Sequence, residues 1–236
     1  MQQRLLPGFA LPPPPSLENF VAGRNLELLE TLRSLLSGQS QERFFYLWGE
    51  NGSGKSHLLQ AVASTARENG IDAVYANAPT ECAGFDPLNP GHTVCDLVAL
   101  DNADRLDENA QIDLFNLYNR LREGNGCLLA SGTLPPAQLP VRPDLATRLG
   151  WGLVFRVHGL NDEEKNAALA AHARQRGFAL PGEVSSWLLR HWRRDLPSLL
   201  AVLDALDRRS MEQRRAISVP LLKELLESLS APQLFE

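Results

Sequence analysis

The chain has 236 residues, 44% of them hydrophobic and 22% charged, with a formal net charge of −5. These are ordinary globular proportions, with enough chain for one large domain or two small ones. The acidic balance argues against a surface built to neutralise many phosphates, and no apolar run approaches the ~18–20 residues that span a bilayer. The three cysteines, Cys82, Cys95 and Cys127, have no CxxC spacing and support neither a disulfide framework nor a zinc site. Sparse thiols and the lack of a signal-peptide pattern at the N-terminus point to a cytoplasmic chain.

Residues 1–16 read as an apolar-flecked arm that ends in a stiff spacer, Pro12 to Pro15. The body then alternates. FFYLW (44–48), DAVYA (72–76), CDLVAL (95–100), CLLAS (127–131) and LVFRV (153–157) are short apolar runs without a polar residue at every second position. That pattern predicts strands buried on both faces, as in a parallel sheet. Helices lie between them. One runs from about Lys55 to Asn69 and stops at Gly70. Another runs from about Glu108 to Glu123, capped by Asp107, with Ile112, Phe115, Leu117, Tyr118 and Leu121 as its apolar face. After about residue 159 the strand signal ends. Asn161 and Glu164 form a capping-box pattern, and leucines at helical spacing follow around Val184–Leu188, Leu196–Leu206 and Leu221–Leu226. The prediction is an α/β fold with a five-stranded parallel sheet between helices, followed by a small all-helical subdomain. Its parts are an arm (1–16), a nucleotide-binding αβα subdomain (17–159) and a helical lid (160–236).

The sharpest motif is Gly49-Glu-Asn51-Gly52-Ser53-Gly54-Lys55-Ser56, a full GxxxxGK[ST] match between a predicted strand and a predicted helix. The glycines let backbone N–H groups turn in around an anion, and the following helix adds the positive end of its dipole. Lys55 supplies a mobile charge for the β/γ phosphates, and the Ser56 hydroxyl can ligate Mg²⁺. An apolar run ending in Asp101 supplies the acidic metal partner. The next residue is Asn102, where many such ATPases carry a second acid; an amide cannot act as a general base. The chain is therefore expected to bind nucleotide better than it hydrolyses it. Asp104 is close by but displaced along the loop.

This layout resembles the AAA+ family. Asn19-Phe20-Val21-Ala-Gly23-Arg-Asn25 is similar to the segment that lies over the adenine in initiator-type members. Pro143-Asp-Leu-Ala-Thr-Arg148-Leu-Gly-Trp-Gly152, Leu160-Asn-Asp-Glu-Glu-Lys165 and Arg176-Gly-Phe-Ala-Leu-Pro181 resemble the Hda family, the DnaA-homologous regulatory inactivators, over about residues 17–229. The resemblance implies Phe20 and Val21 at the base, and the loop from Gly49 to Ser56, His57 beside it and Asp101 at the phosphates and metal. It implies Arg148 as an arginine finger acting in trans, the plain alternative being a surface arginine paired with Asp144. It implies Arg194 as a sensor on the chain's own nucleotide, with Arg193 as a rival. Ser131 and Thr133 compete as the polar sensor near the γ-phosphate; Gly132 stands where initiator relatives often have Asp. Trp48 and Trp151 read as core or interface packing rather than ligand cages.

The resemblance further implies bound ADP (or ATP) with Mg²⁺, and DnaA and the DNA polymerase III sliding clamp as partners. The clamp would be engaged by Gln2 with Leu5 and Leu6, or by Gln3 with Leu5, Leu6 and Phe9, in a register the residues leave open. Gln233-Leu-Phe235 is a second candidate. The chain stops after the helical tail, so the DNA-binding module of DnaA is expected to be absent, and sequence-specific DNA binding with it. No membrane partner is expected; AAA+ surfaces permit self-association. The expected function is ADP-bound docking on the loaded clamp and stimulation of hydrolysis of DnaA-bound ATP. The alternative is an autonomous ATPase or helicase-loader-like protein.

Overall fold

The computed structural model describes residues 14–78, 95–193 and 195–230. The described residues divide into two compact units, Pro14–Gly159 and the segment from Leu160 onward.

The first unit is a sheet between two helical layers. Strands β1 (Phe44–Trp48), β2 (Ala73–Asn77), β3 (Leu97–Asp101), β4 (Cys127–Gly132) and β5 (Leu153–Arg156) are all parallel, in the order β2-β3-β4-β1-β5. Burial follows that order. The inner strands β3 and β4 are buried at every residue, whereas edge strand β5 alternates between half-buried and exposed. Side chains alternate across a strand, so each inner strand feeds two cores. Phe45, Leu47, Leu97, Ala99 and Leu129 join one core with α1 (Leu26–Leu36) and α2 (Lys55–Glu68). Tyr46, Val98, Leu100, Leu128 and Ala130 join the other with α3 (Glu108–Glu123) and α4 (Pro143–Leu149). The Asp107 side chain caps α3 by accepting from Ala110 N, as expected.

Several details depart from the sequence reading. β2 begins one residue later than expected and β3 two residues later. Helix α1 is additional; Asn25 precedes it but makes no cap bond. The Asn25 amide instead donates to His158 O and accepts from His158 N, both at 2.8 Å, tying the start of α1 to the end of β5. Pro143-Asp144 opens a short helix rather than a turn, with proline at its first position, where the missing N–H costs nothing. Ile112, assigned to the apolar face of α3, is exposed; Leu114 is buried in its place.

The second unit is a four-helix cluster: α5 (Asp162–Gln175), α6 (Gly182–His191), α7 (Leu196–Gln213) and α8 (Val219–Ser230). The capping box forms in both directions, Glu164 N to Asn161 Oδ1 and Asn161 N to Glu164 Oε2, each 2.7 Å. Leu169, Val184, Leu188, Leu199, Leu203, Leu206, Leu221, Leu222, Leu225 and Leu226 form one core. Among the described residues no helix is long and apolar enough to cross a membrane.

Candidate functional site

The parallel register brings one end of every inner strand to the same edge. Trp48 pairs with Gly132, and Asn77 with Asp101. The residues that follow β1 and end β2, β3 and β4 therefore meet where an open α/β sheet places its ligand.

The loop after β1 has the shape and the donors that a phosphate cradle needs. Gly52 and Gly54 hold φ of +80° and +103°, a left-handed region that suits glycine. A Cβ on Gly54 would also fall 2.6 Å from the Phe20 ring, so the segment before α1 packs directly on the loop; Val21 follows, half-buried. Lys55, the first residue of α2, is buried, and its Nζ donates to Gly49 O (2.8 Å) and Glu50 O (3.0 Å). Both are neutral carbonyls, which an anion outcompetes for an ammonium. Burial pushes the Lys55 pKa down, and the charges of Asp101 and Asp104 oppose that shift. The first turn of α2 holds no acid and Gly54 makes no side-chain cap, so its N–H groups are left for a ligand. Ser53 is buried and its Oγ has no partner among the described residues. Asn51 and Ser56 are exposed. The donor set fits a phosphate chain. His57 lies beside it; its Nε2 is 2.9 Å from Ser16 O and its ring tilts against Phe20, 5.5 Å between centroids. It pins the overlying segment.

The acidic side of the site is a connected network. Asp101 is fully buried and accepts from the Ser131 hydroxyl, from Tyr75 Oη (3.2 Å) and from Asn102 N (3.1 Å). Asn102 sits in the left-handed region, φ +58°, and its Nδ2 donates to Asn77 Oδ1 at 2.8 Å. Thr133 donates to Asp104 Oδ2 through its N (3.0 Å) and its Oγ1 (2.5 Å), while Asp104 Oδ1 is buried with no partner among the described residues. Each sensor candidate is thus tied to a carboxylate, Ser131 to Asp101 and Thr133 to Asp104. Gly132 between them has a steric cause: a Cβ there would lie 2.0 Å from Tyr46 Oη. Tyr75 and Asn77 belong to this network, Tyr46 packs beside its Gly132, and none of the three was anticipated. Their only sequence signal is their place on strands β1 and β2. Among the described residues no group of three or more His, Cys, Asp or Glu could hold a metal ion unaided. Ser56 and Asp101 suit a cation held largely by phosphates.

Arg148 lies in the last turn of α4, half-buried. Asp144 is not its partner: Arg142 takes that carboxylate, Nε to Oδ1 at 3.2 Å and Nη2 to Oδ2 at 2.9 Å. The Arg148 guanidinium instead stacks on Trp151, with Cζ 4.1 Å from the ring centroid, and lies within 5.3 Å of Phe115 and 5.7 Å of Tyr118. Trp151 is exposed rather than packed in a core; Trp48 is partly buried against the core. Arg193 is exposed. Arg194, Gln2, Gln3, Leu5, Leu6, Phe9 and Gln233–Phe235 lie outside the described residues.

A glycine loop after β1, the second strand from one edge of the sheet, a buried strand-end aspartate on β3, the second strand from the other edge, and a four-helix unit make the arrangement of an AAA+ fold. Residues 162–226 match the family model of the Hda lid domain. In that segment the chain is similar to the Hda family. Solved structures agree on the fold. DnaA of Aquifex aeolicus, bound to AMPPCP, is 24% identical over 86% of this chain and 71% of its own, with a TM-score of 0.68. Domain III of the Thermotoga maritima replication initiation protein DnaA is 18% identical over 94% of this chain and 100% of its own, with a TM-score of 0.72. The Holliday junction branch migration motor RuvB of Thermotoga maritima is 15% identical over 91% and 72%, with a TM-score of 0.64.

Proposed function

We propose that this chain is a regulatory inactivator of DnaA. It holds ADP with Mg²⁺ in its own cradle, docks on the DNA-loaded sliding clamp through Gln2 or Gln3, Leu5 and Leu6, and inserts Arg148 into the ATP site of DnaA. The observation that carries the reading is the pairing of an intact phosphate loop with a disarmed acid position. Lys55 and the N–H groups of α2 are built to hold phosphates, yet Asn102 is an amide turned toward Asn77. An amide takes no proton from an attacking water, so the chain's own pocket binds and scarcely turns over.

In this reading Lys55, the loop N–H groups and Ser56 hold the phosphates, Phe20 and Val21 cover the base, and Arg194 acts as a sensor of the chain's own nucleotide. Mg²⁺ would be held by Ser56 and Asp101, and would supply positive charge to the phosphate oxygens. Asp101 is kept aligned by its three donors. At the partner's site Arg148 neutralises charge that develops on the γ-phosphoryl oxygens, an effect worth about 10³–10⁵ in rate for such fingers. A second reading, an autonomous ATPase, draws on Asp104, whose Oδ1 is buried without a partner among the described residues.

Hydrolysis of DnaA-bound ATP, measured with and without this chain and the loaded clamp, separates the two. The proposal expects acceleration only when all three components are present, with negligible turnover by this chain alone. Brisk turnover by the isolated chain, with no effect on DnaA, supports the autonomous ATPase. Substitution of Gln2, Gln3, Leu5 and Leu6 by alanine should abolish clamp capture; retained capture rules out the arm.

A further inference from the structure

Arg148 is held in an unusual way for a surface arginine beside an acid. Asp144 lies four residues N-terminal to it on α4, the spacing and order at which helices form Asp–Arg pairs. That pair is absent because Arg142 occupies both Asp144 oxygens. No hydrogen bond or ion pair of the Arg148 guanidinium occurs among the described residues; what it has is a ring. Its Cζ is 4.1 Å from the Trp151 centroid, close enough for face-to-face contact. Trp151 is 55% exposed, so this indole does little for the core. Arg122 also lies over it, 5.2 Å from the centroid, so the surroundings of Arg148 are cationic and aromatic.

The two modes of holding a guanidinium have different consequences. A carboxylate grips the in-plane N–H donors and neutralises the charge. A ring grips the face, leaves every in-plane donor open and leaves the charge intact. The fork stays ready for planar, two-point contact with an oxyanion.

We propose that Trp151 and Arg142 are positioning residues for Arg148. Trp151 fixes the plane of the guanidinium, and Arg142 occupies Asp144, so that Arg148 is delivered charged and unpaired to the phosphoryl oxygens of a nucleotide held by a second chain. This deepens the trans reading above and rests on it. Trp151 acts through Arg148 and not on the phosphates.

The test measures DnaA-bound ATP hydrolysis with full-length chain and loaded clamp, taking the maximal stimulated rate and the half-saturating concentration separately. Trp151→Ala should lower the maximal rate about two- to fivefold, the range of an exposed cation–π contact, with the half-saturating concentration unchanged. Trp151→Phe should retain most of the rate. Arg142→Ala should lower the rate about twofold at low ionic strength, because Asp144 then captures Arg148, and the loss should fade with salt. Adding Asp144→Asn to Arg142→Ala should restore the rate, which a merely structural effect of Arg142 would not allow. A Trp151→Ala variant that changes only the half-saturating concentration makes Trp151 a docking residue and overturns its part in the proposal. A loss in Arg142→Ala that Asp144→Asn does not rescue overturns the part given to Arg142. Arg148→Ala is the control: if it keeps full stimulation, the trans reading itself fails. If it loses stimulation while the other variants match the unaltered chain, only the positioning proposal fails.

Discussion

Replacing Gly132 by alanine tests how tightly the end of β4 is built against β1. The added Cβ would lie 2.0 Å from Tyr46 Oη and 3.1 Å from Cζ, where a comfortable contact is about 3.5 Å. Tyr46 cannot swing aside, because it is fully buried and its hydroxyl donates to Leu134 O at 3.1 Å. Overpacking of this kind costs about 1–3 kcal/mol, and the displaced tyrosine hydrogen bond about 0.5–1.5 kcal/mol more. The expected loss is about 2–4 kcal/mol in urea-induced unfolding. The clash is mainly with a hydroxyl, so it should shrink in a Tyr46→Phe background, where Gly132→Ala should cost about 1 kcal/mol. The resulting coupling of about 1–3 kcal/mol is within the range for residues in contact. Equal costs in the two backgrounds would refute the reasoning, and with it the claim that Tyr46 keeps position 132 a glycine. The same contact leaves no room at position 132 for an aspartate.

Two further outcomes follow from the same contacts. Asn102→Asp should raise intrinsic ATP turnover, measured by phosphate release, toward the low end of the ~10²–10⁴-fold range of a general base. Asn77 can reverse its amide and keep the bond to position 102, so the fold should hold; turnover that stays flat would remove Asn102 as the cause of a quiet site. Burial pushes the Cys127 thiol up to about 12, so above an ordinary thiol pKa the unfolded chain binds fewer protons than the folded one. Stability should then fall with rising pH at about 1.4 kcal/mol per unit between roughly pH 9 and 12. Cys127→Ala should lessen that slope in urea titrations, and an unchanged slope would contradict the assignment.

What could be read from the sequence was whatever a short stretch determines by itself. The five strands announced themselves because inner strands of a parallel sheet must be apolar on both faces, and β1, β3 and β4 are. The glycine-lysine loop and the Asn161–Glu164 cap are local patterns whose spacing is their function. The misses required a third dimension. Helix α1 lacks its start signal because Asn25 bonds to His158, 133 residues away, instead of capping. Pro143-Asp144 carries turn chemistry, but proline also fits the first position of a helix. The partners of Asp101 and Asn102 come from β2 and β4, so only the strand register could bring Tyr75, Asn77 and Ser131 to them. Trp151 looked like packing because aromatic residues usually are; its role against Arg148 depends on where α4 lays that guanidinium.

The central claim is that Arg148 completes a neighbour's hydrolytic centre. Single-turnover hydrolysis of ATP preloaded on DnaA, in the presence of loaded clamp and either the unaltered chain, Arg148→Ala or Arg148→Lys, tests it most directly. The account predicts that alanine removes about 10³-fold or more of any stimulation, and that lysine, a point charge without the planar fork, recovers little, with clamp capture and nucleotide content intact in both variants. Full stimulation by Arg148→Ala would contradict it.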